Sequence, residues 1–109
     1  MGTNSKTALI AIGGNSLIKT GERGTLDEQF KNALETAKNI VKMVKDGWKV
    51  IVTHGNGPQV GAALIRSERA SSEVYNHTLD MCVATTQSEI GYLLQKAFCQ
   101  ELKNLKINV

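Results

Sequence analysis

Val50-Ile51-Val52 runs into Thr53-His54-Gly55-Asn56-Gly57-Pro58-Gln59-Val60-Gly61. A short apolar run, a glycine-rich turn and then a proline read as strand, loop and helix start. Proline suits the first helical position, where its missing N–H costs nothing. Such a turn aims free backbone N–H groups, at the positive end of a helix dipole, toward one point in space. A point of that kind binds an anion, most often phosphate. A second loop of the same kind, Gly13-Gly14-Asn15, follows the apolar run Leu9-Ile10-Ala11-Ile12. Two such loops in one short chain predict a site that grips a phosphoryl group from two sides.

The flanking segments set the fold class. Thr7–Ile12 is continuously apolar after its first residue, the pattern of a strand buried on both faces. Thr25-Leu26-Asp27-Glu28 is a capping box. Apolar residues then recur at helical period at Phe30, Ala33, Leu34, Ala37, Ile40, Val41 and Val44, and Gly47 follows as a stop. Trp48–Thr53 reads as the second strand, and Pro58 to about Arg69 as a short helix. A long helix runs from about Thr78 to Lys103, with Leu79, Cys82, Val83, Thr86, Ile90, Leu93, Leu94, Ala97 and Phe98 on one stripe. Gly91 inside it suggests a close helix approach, since glycine there costs about 1 kcal/mol against alanine. Ile107-Asn108-Val109 reads as the beginning of a third strand. Strands alternating with helices predict an α/β fold, a parallel sheet with helices on both faces. Ligands in such sheets bind at the carboxyl ends of the strands, which places both loops on one rim.

Composition narrows the function. The 109 residues allow one domain, with a net charge of +3 from 13 basic and 10 acidic residues. That balance is too mild for a nucleic-acid or membrane partner. Two Tyr, two Phe and one Trp form no stacking platform for single-stranded nucleic acid. No apolar stretch approaches the roughly 18 residues of a membrane span, and Met1–Thr7 lacks a signal-peptide core, so the cytoplasm is the default compartment. Cys82 and Cys99 fall on the long helix about 25 Å apart, too far to bridge, and read as reduced thiols packed as small hydrophobes.

Two familiar motifs nearly match and fail. Gly13 to Thr20 lacks the second glycine of a P-loop, because Ile18 stands there and a β-branched residue disfavours positive φ. Gly55-Asn56-Gly57-Pro58-Gln59-Val60-Gly61 carries the third glycine of the dinucleotide fingerprint one place late. Read as they stand, the glycines let backbone N–H groups approach a phosphate. Asn15 and Asn56 add amide donors suited to charge spreading over equatorial oxygens during phosphoryl transfer. His54 reads as backbone support, and Asp80 as a stabiliser of the helix dipole. Lys19 and Arg23 read as solvated on a flexible loop.

The combination resembles the amino acid kinase fold and, within it, the carbamate kinases, over nearly the whole chain. The matching pieces are Ala11-Ile12-Gly13-Gly14-Asn15-Ser16-Leu17, Thr53 to Gly61, and Leu79-Asp80 with Gln87 and Ile90-Gly91-Tyr92-Leu93-Leu94-Gln95. Sister families such as acetylglutamate kinase carry Gly-Gly-Gly-Pro where this chain has Gly55-Asn56-Gly57-Pro58, and a lysine where it has Ala11. The resemblance implies reversible phosphoryl transfer between ATP and carbamate, run from carbamoyl phosphate and ADP to make ATP, in arginine metabolism. It implies Asn15 and Asn56 as the catalytic residues of this chain, and Gly13, Gly14, Asn15, Gly55, Asn56 and Gly57 as substrate-binding. It also implies ATP or ADP with Mg2+, bound mostly elsewhere, and a homodimer in which the long helix takes part. No metal ligand is assigned to residues 1–109.

Two complete strands make a poor independent sheet. The expectation is therefore that residues 1–109 are the amino-terminal part of one kinase domain, holding the carbamate- and phosphate-binding half. The family's catalytic lysines, acidic residue, substrate flap and nucleotide half would lie beyond Val109, and this piece alone would be inactive. Two other readings stay open: a different acyl-phosphate kinase such as acetylglutamate kinase, against which Asn56 and Ala11 speak, and a non-catalytic anion-binding or assembly module if the chain ends at Val109.

Overall fold

A computed structural model describes residues 5–108. In order these form strand β1 (Thr7–Ile12), helix α1 (Leu26–Lys45), strand β2 (Lys49–His54), helix α2 (Gly57–Arg69) and helix α3 (Leu79–Asn104), with a single 3-10 turn at Gly14–Ser16 after β1. The strands pair in parallel, Thr7 beside Lys49 through Ile12 beside His54.

Helix α1 begins where local chemistry tells it to. At α1 the Glu28 N–H donates to Thr25 Oγ1 at 3.2 Å, and the Thr25 N–H donates to Glu28 Oε1 at 2.9 Å. Those reciprocal bonds satisfy donors that a helix start leaves orphaned. The same contacts, led by the Thr25 backbone N–H, hold the Glu28 carboxyl below its ordinary value. At the other end Gly47 takes φ +93°, and the Trp48 N–H returns to the Met43 carbonyl at 3.0 Å. Helix α3 ends the same way, with the Ile107 N–H on the Leu102 carbonyl at 2.9 Å. There the left-handed position is held by Lys106, at φ 57°, where a Cβ is disfavoured.

Among the described residues, no third strand follows α3. Ile107 is tied back to α3, and Ile107 and Asn108 have no strand assignment. Val109 lies outside the described residues. Ile107, read as the beginning of a strand, instead completes a helix terminus.

The core lies between α1, α3 and one face of the sheet. It gathers Ile12, Leu17, Ala33, Ala37, Ile40, Ile90, Leu94 and Ala97, with Ile10, Val50, Val52 and Phe98 packed against it. The crossover from β1 to β2 lays α1 on this face, and α3 packs against α1, so the same face is covered twice. The opposite face is bare among the described residues: Leu9 is 70% and Ile51 54% exposed. The uniform apolarity of the strands therefore finds a helical cover on one face only.

Further sequence expectations change in the packed chain. Gly91 meets nothing within 4 Å of where a Cβ would stand. It borders a groove with Ile40, Val44, Val50, Val52 and Phe98, so it marks no close helix approach here. Cys82 is buried as expected, but Cys99 is exposed, because it falls off the buried stripe. Leu79 and Val83 are also exposed. Lys19 is exposed as expected, and its Nζ also lies 2.7 Å from Glu35 Oε2 on α1.

Two outcomes follow from the helix ends. Replacing Lys106 with glycine should stabilise the chain by about 0.5–1 kcal/mol in denaturant unfolding, because it removes a Cβ from a left-handed position; an unchanged midpoint would show that the turn relaxes at no cost. Glu28 should make stability acid-sensitive. Its folded pKa lies below its unfolded one, so its contribution is present above the unfolded value and is lost as pH falls through the folded one. Thermal unfolding from about pH 5 to about pH 3 should show a smaller loss in Glu28→Gln than in the parent, since glutamine keeps an acceptor and removes the titration. Glu35 and Asp80, held down by Lys19 and Thr78 respectively, retain their own share.

Candidate functional site

The register of β1 and β2 brings both loops to one end of the sheet. Ile12 and His54 are paired, and the next step of the ladder continues into the loops: the Gly55 N–H donates to the Ile12 carbonyl at 3.1 Å. A Cβ on Gly14 would stand 3.2 Å from Pro58 Cδ, and a Cβ on Gly55 would stand 3.8 Å from the Gly14 nitrogen. The loops thus touch. Glycine at 14 is what permits a contact this close, because an alanine there would press on a rigid proline ring.

The N–H groups divide into used and free. Gly55 spends its N–H on Ile12 and offers none to a ligand. Val60 bonds the Asn56 carbonyl at 2.9 Å, and Ser16 bonds the Gly13 carbonyl at 3.0 Å. Among the described residues, the N–H groups of Gly14, Asn15, Gly57 and Gln59 have no partner. Space beside Gly13 and Gly57 is open to 4 Å. The Asn15 side chain is exposed and unbonded among the described residues, so its amide stays available.

Asn56 behaves differently from Asn15. It is the N-cap of α2, yet it makes no side-chain cap bond to that helix. Its Nδ2 instead donates to the Val83 carbonyl at 3.2 Å and to Thr86 Oγ1 at 3.1 Å, both on α3. The amide orientation is dictated by these neighbours. A carbonyl only accepts, and the Thr86 hydroxyl spends its proton on the Cys82 carbonyl at 2.7 Å. Both amide hydrogens of Asn56 therefore point to α3, and the expectation of a free donor at this position is not met. The competing partner is 27 to 30 residues away in sequence, out of reach of any local reading.

A network of buried amides holds the loop between β1 and α1. Asn32 Nδ2 donates to the Leu17 carbonyl and to Glu22 Oε1, each at 2.8 Å. Gln29 Nε2 donates to the Gly24 carbonyl at 2.8 Å, and Gln59 Nε2 donates to Gln29 Oε1 at 3.1 Å. The first helical turn behind one loop is thereby bonded, through α1, to the segment leaving the other. Asn32, Gln29 and Gln59 are all buried. Periodicity alone passes over them because they occupy stripe positions with polar side chains.

The remaining candidates support rather than touch. His54 Nδ1 lies 3.2 Å from the Gly55 carbonyl, which only accepts, so the ring nitrogen donates and braces the turn. Asp80 accepts from the Thr78 hydroxyl in the first turn of α3, and that bond lowers its pKa. Asn56, Val83 and Gln87 line a cavity of about 340 Å³ with Val52, Thr53 and His54. A larger one, about 590 Å³, lies among Phe30, Arg66, Glu89, Tyr92 and Lys96 and shares no residue with either loop.

Known proteins resemble this chain in sequence and fold. Residues 6–107 match the model of the amino acid kinase family. The chain is 42% identical over 102 residues to the carbamate kinase of Thermococcus kodakarensis, covering 90% of this chain and 32% of that one. It is 40% identical over 97 residues to the carbamate kinase of Pyrococcus horikoshii, covering 87% and 31%. The solved carbamate kinase of Giardia lamblia bound to AMP-PNP superposes with a TM-score of 0.93 at 36% identity, over 97% of this chain and 37% of that one. The chain thus spans about a third of the length of the relatives it matches. The chain belongs to the amino acid kinase family.

Proposed function

We propose that this chain supplies the carbamate- and phosphoryl-binding loops of a carbamate kinase, which transfers a phosphoryl group from carbamoyl phosphate to ADP, and in reverse from ATP to carbamate. The observation that carries the proposal is the meeting of the two loops, with unpartnered N–H groups at Gly14, Asn15, Gly57 and Gln59. Likeness to carbamate kinases of 36–42% identity supports the same reading. Gly13, Gly14, Gly55 and Gly57 shape the cradle. Asn15 offers a side-chain donor, and Asn56 fixes the second loop.

The chemistry asked of these residues is electrostatic. The moving phosphoryl group spreads charge over its equatorial oxygens, and fixed N–H dipoles stabilise that charge without rearranging. No proton need be taken by His54. The nucleotide, with Mg2+, belongs to this reading as the partner in transfer. No metal step is assigned to this chain: among the described residues no three His, Cys, Asp or Glu side chains come together. A cytoplasmic homodimer completes the proposal. Among the described residues no helix is long and apolar enough to cross a membrane, and Leu79 and Met81 leave apolar surface exposed at the start of α3.

The test uses the complete reading frame that carries this chain. ATP should form from carbamoyl phosphate and ADP, and acetylglutamate should not serve as acceptor in its place; the reverse pattern would favour a sister kinase. Asn15→Ala should lower kcat by on the order of a hundredfold, the value of one transition-state donor, with little change in melting temperature. Unchanged turnover would return Asn15 to the status of a turn former. Light scattering at micromolar concentration should give the mass of a dimer, and a monomer would end that part of the proposal.

A further inference from the structure

We propose that Thr86 is a positioning residue, which anchors Asn56 to α3 and so keeps the N-terminus of α2 uncapped for the phosphoryl group. The inference rests on the reading of the loops as a phosphoryl site. It adds a residue that lies outside both loops and comes from the far side of the core.

An asparagine at an N-cap ordinarily turns its side-chain oxygen onto the N–H groups of the helix it begins. That local bond would occupy the donors an anion needs. Asn56 stands at that position and does not make the bond. Its amide nitrogen is held instead by the Val83 carbonyl and Thr86 Oγ1. Thr86 is 1% exposed, and its hydroxyl is directional. It donates to Cys82 one turn back, a bond threonine readily makes in helices. Its lone pairs then face the Asn56 amide, and a side chain that lacked the hydroxyl would leave that amide the Val83 carbonyl as its one acceptor on α3. The result is visible at α2, where the Gly57 and Gln59 N–H groups have no partner among the described residues.

Losing this anchor halves the hold of α3 on Asn56, to the Val83 carbonyl alone, and lets its side chain turn toward α2. The cap then competes with the bound anion for the same N–H groups. Asn56→Ala abolishes the competitor, so the effect of losing Thr86 should vanish in that background.

The experiment titrates the complete protein with inorganic phosphate by calorimetry and follows the Asn56 side-chain amide by nitrogen-15 NMR. Thr86→Val should weaken phosphate binding about fivefold, the value of one neutral hydrogen bond. Thr86→Ser, which restores the hydroxyl, should bind as the parent does. Thr86→Val combined with Asn56→Ala should bind as Asn56→Ala alone. An equal loss in both backgrounds would mean that Thr86 only packs, and would overturn the proposal. The Asn56 amide protons should exchange slowly in the parent and fast in Thr86→Val. Fast exchange in the parent would overturn the anchor even if Thr86→Val fails to fold. The amide measurement needs no turnover, so an inactive parent with protected amide protons would remove the kinase reading and leave the anchor standing.

Discussion

The parallel register of β1 and β2 is the constraint on which the site depends. Pairing Ile12 with His54 makes the strands end together. The Gly55 N–H on the Ile12 carbonyl then carries the ladder one residue past β2. Because side chains alternate along a strand, a slip of β2 by one residue would turn Val50 and Val52 away from the helices. It would also move one loop along the rim and part Gly14 from Pro58. Core packing and site geometry are thus fixed by the same hydrogen bonds.

The second support comes from polar groups inside the core. Gln29, Asn32, Gln59 and Thr86 are buried and bonded. A buried amide left without a partner costs about 1–3 kcal/mol, so such groups tolerate few arrangements. Their partners include the Leu17 and Gly24 carbonyls, the Glu22 carboxylate and Asn56, all in loops. The cost of burying them is therefore offset where the backbone would otherwise be free to move. Among the described side chains, Gln59 Oε1 stays buried without a partner.

Electrostatics is secondary. The Lys19–Glu35 pair is exposed on both sides, and pairs of that kind contribute little. It ties the loop after β1 to α1 where the buried amides have already fixed it. Leu9 and Ile51 lie exposed on the sheet face that no helix covers among the described residues.

The sequence by itself determined the elements and their ends. A capping box, a proline at a helix start, a glycine at a helix stop and an apolar stripe of helical period act within a few residues, so they can be read in a line. It also determined that both glycine loops follow strands, which in a parallel sheet puts them on one rim. Only the tertiary structure decided how the loops are used. Asn15 and Asn56 look alike in sequence, yet one stays free and the other is bound to α3, because the Val83 carbonyl and Thr86 hydroxyl arrive from about thirty residues away. Ile107 reads as a strand start and instead closes a helix, its N–H held by the Leu102 carbonyl. Hydrogen bonds are satisfied by whichever partner folding brings near, and that partner is fixed by three-dimensional packing.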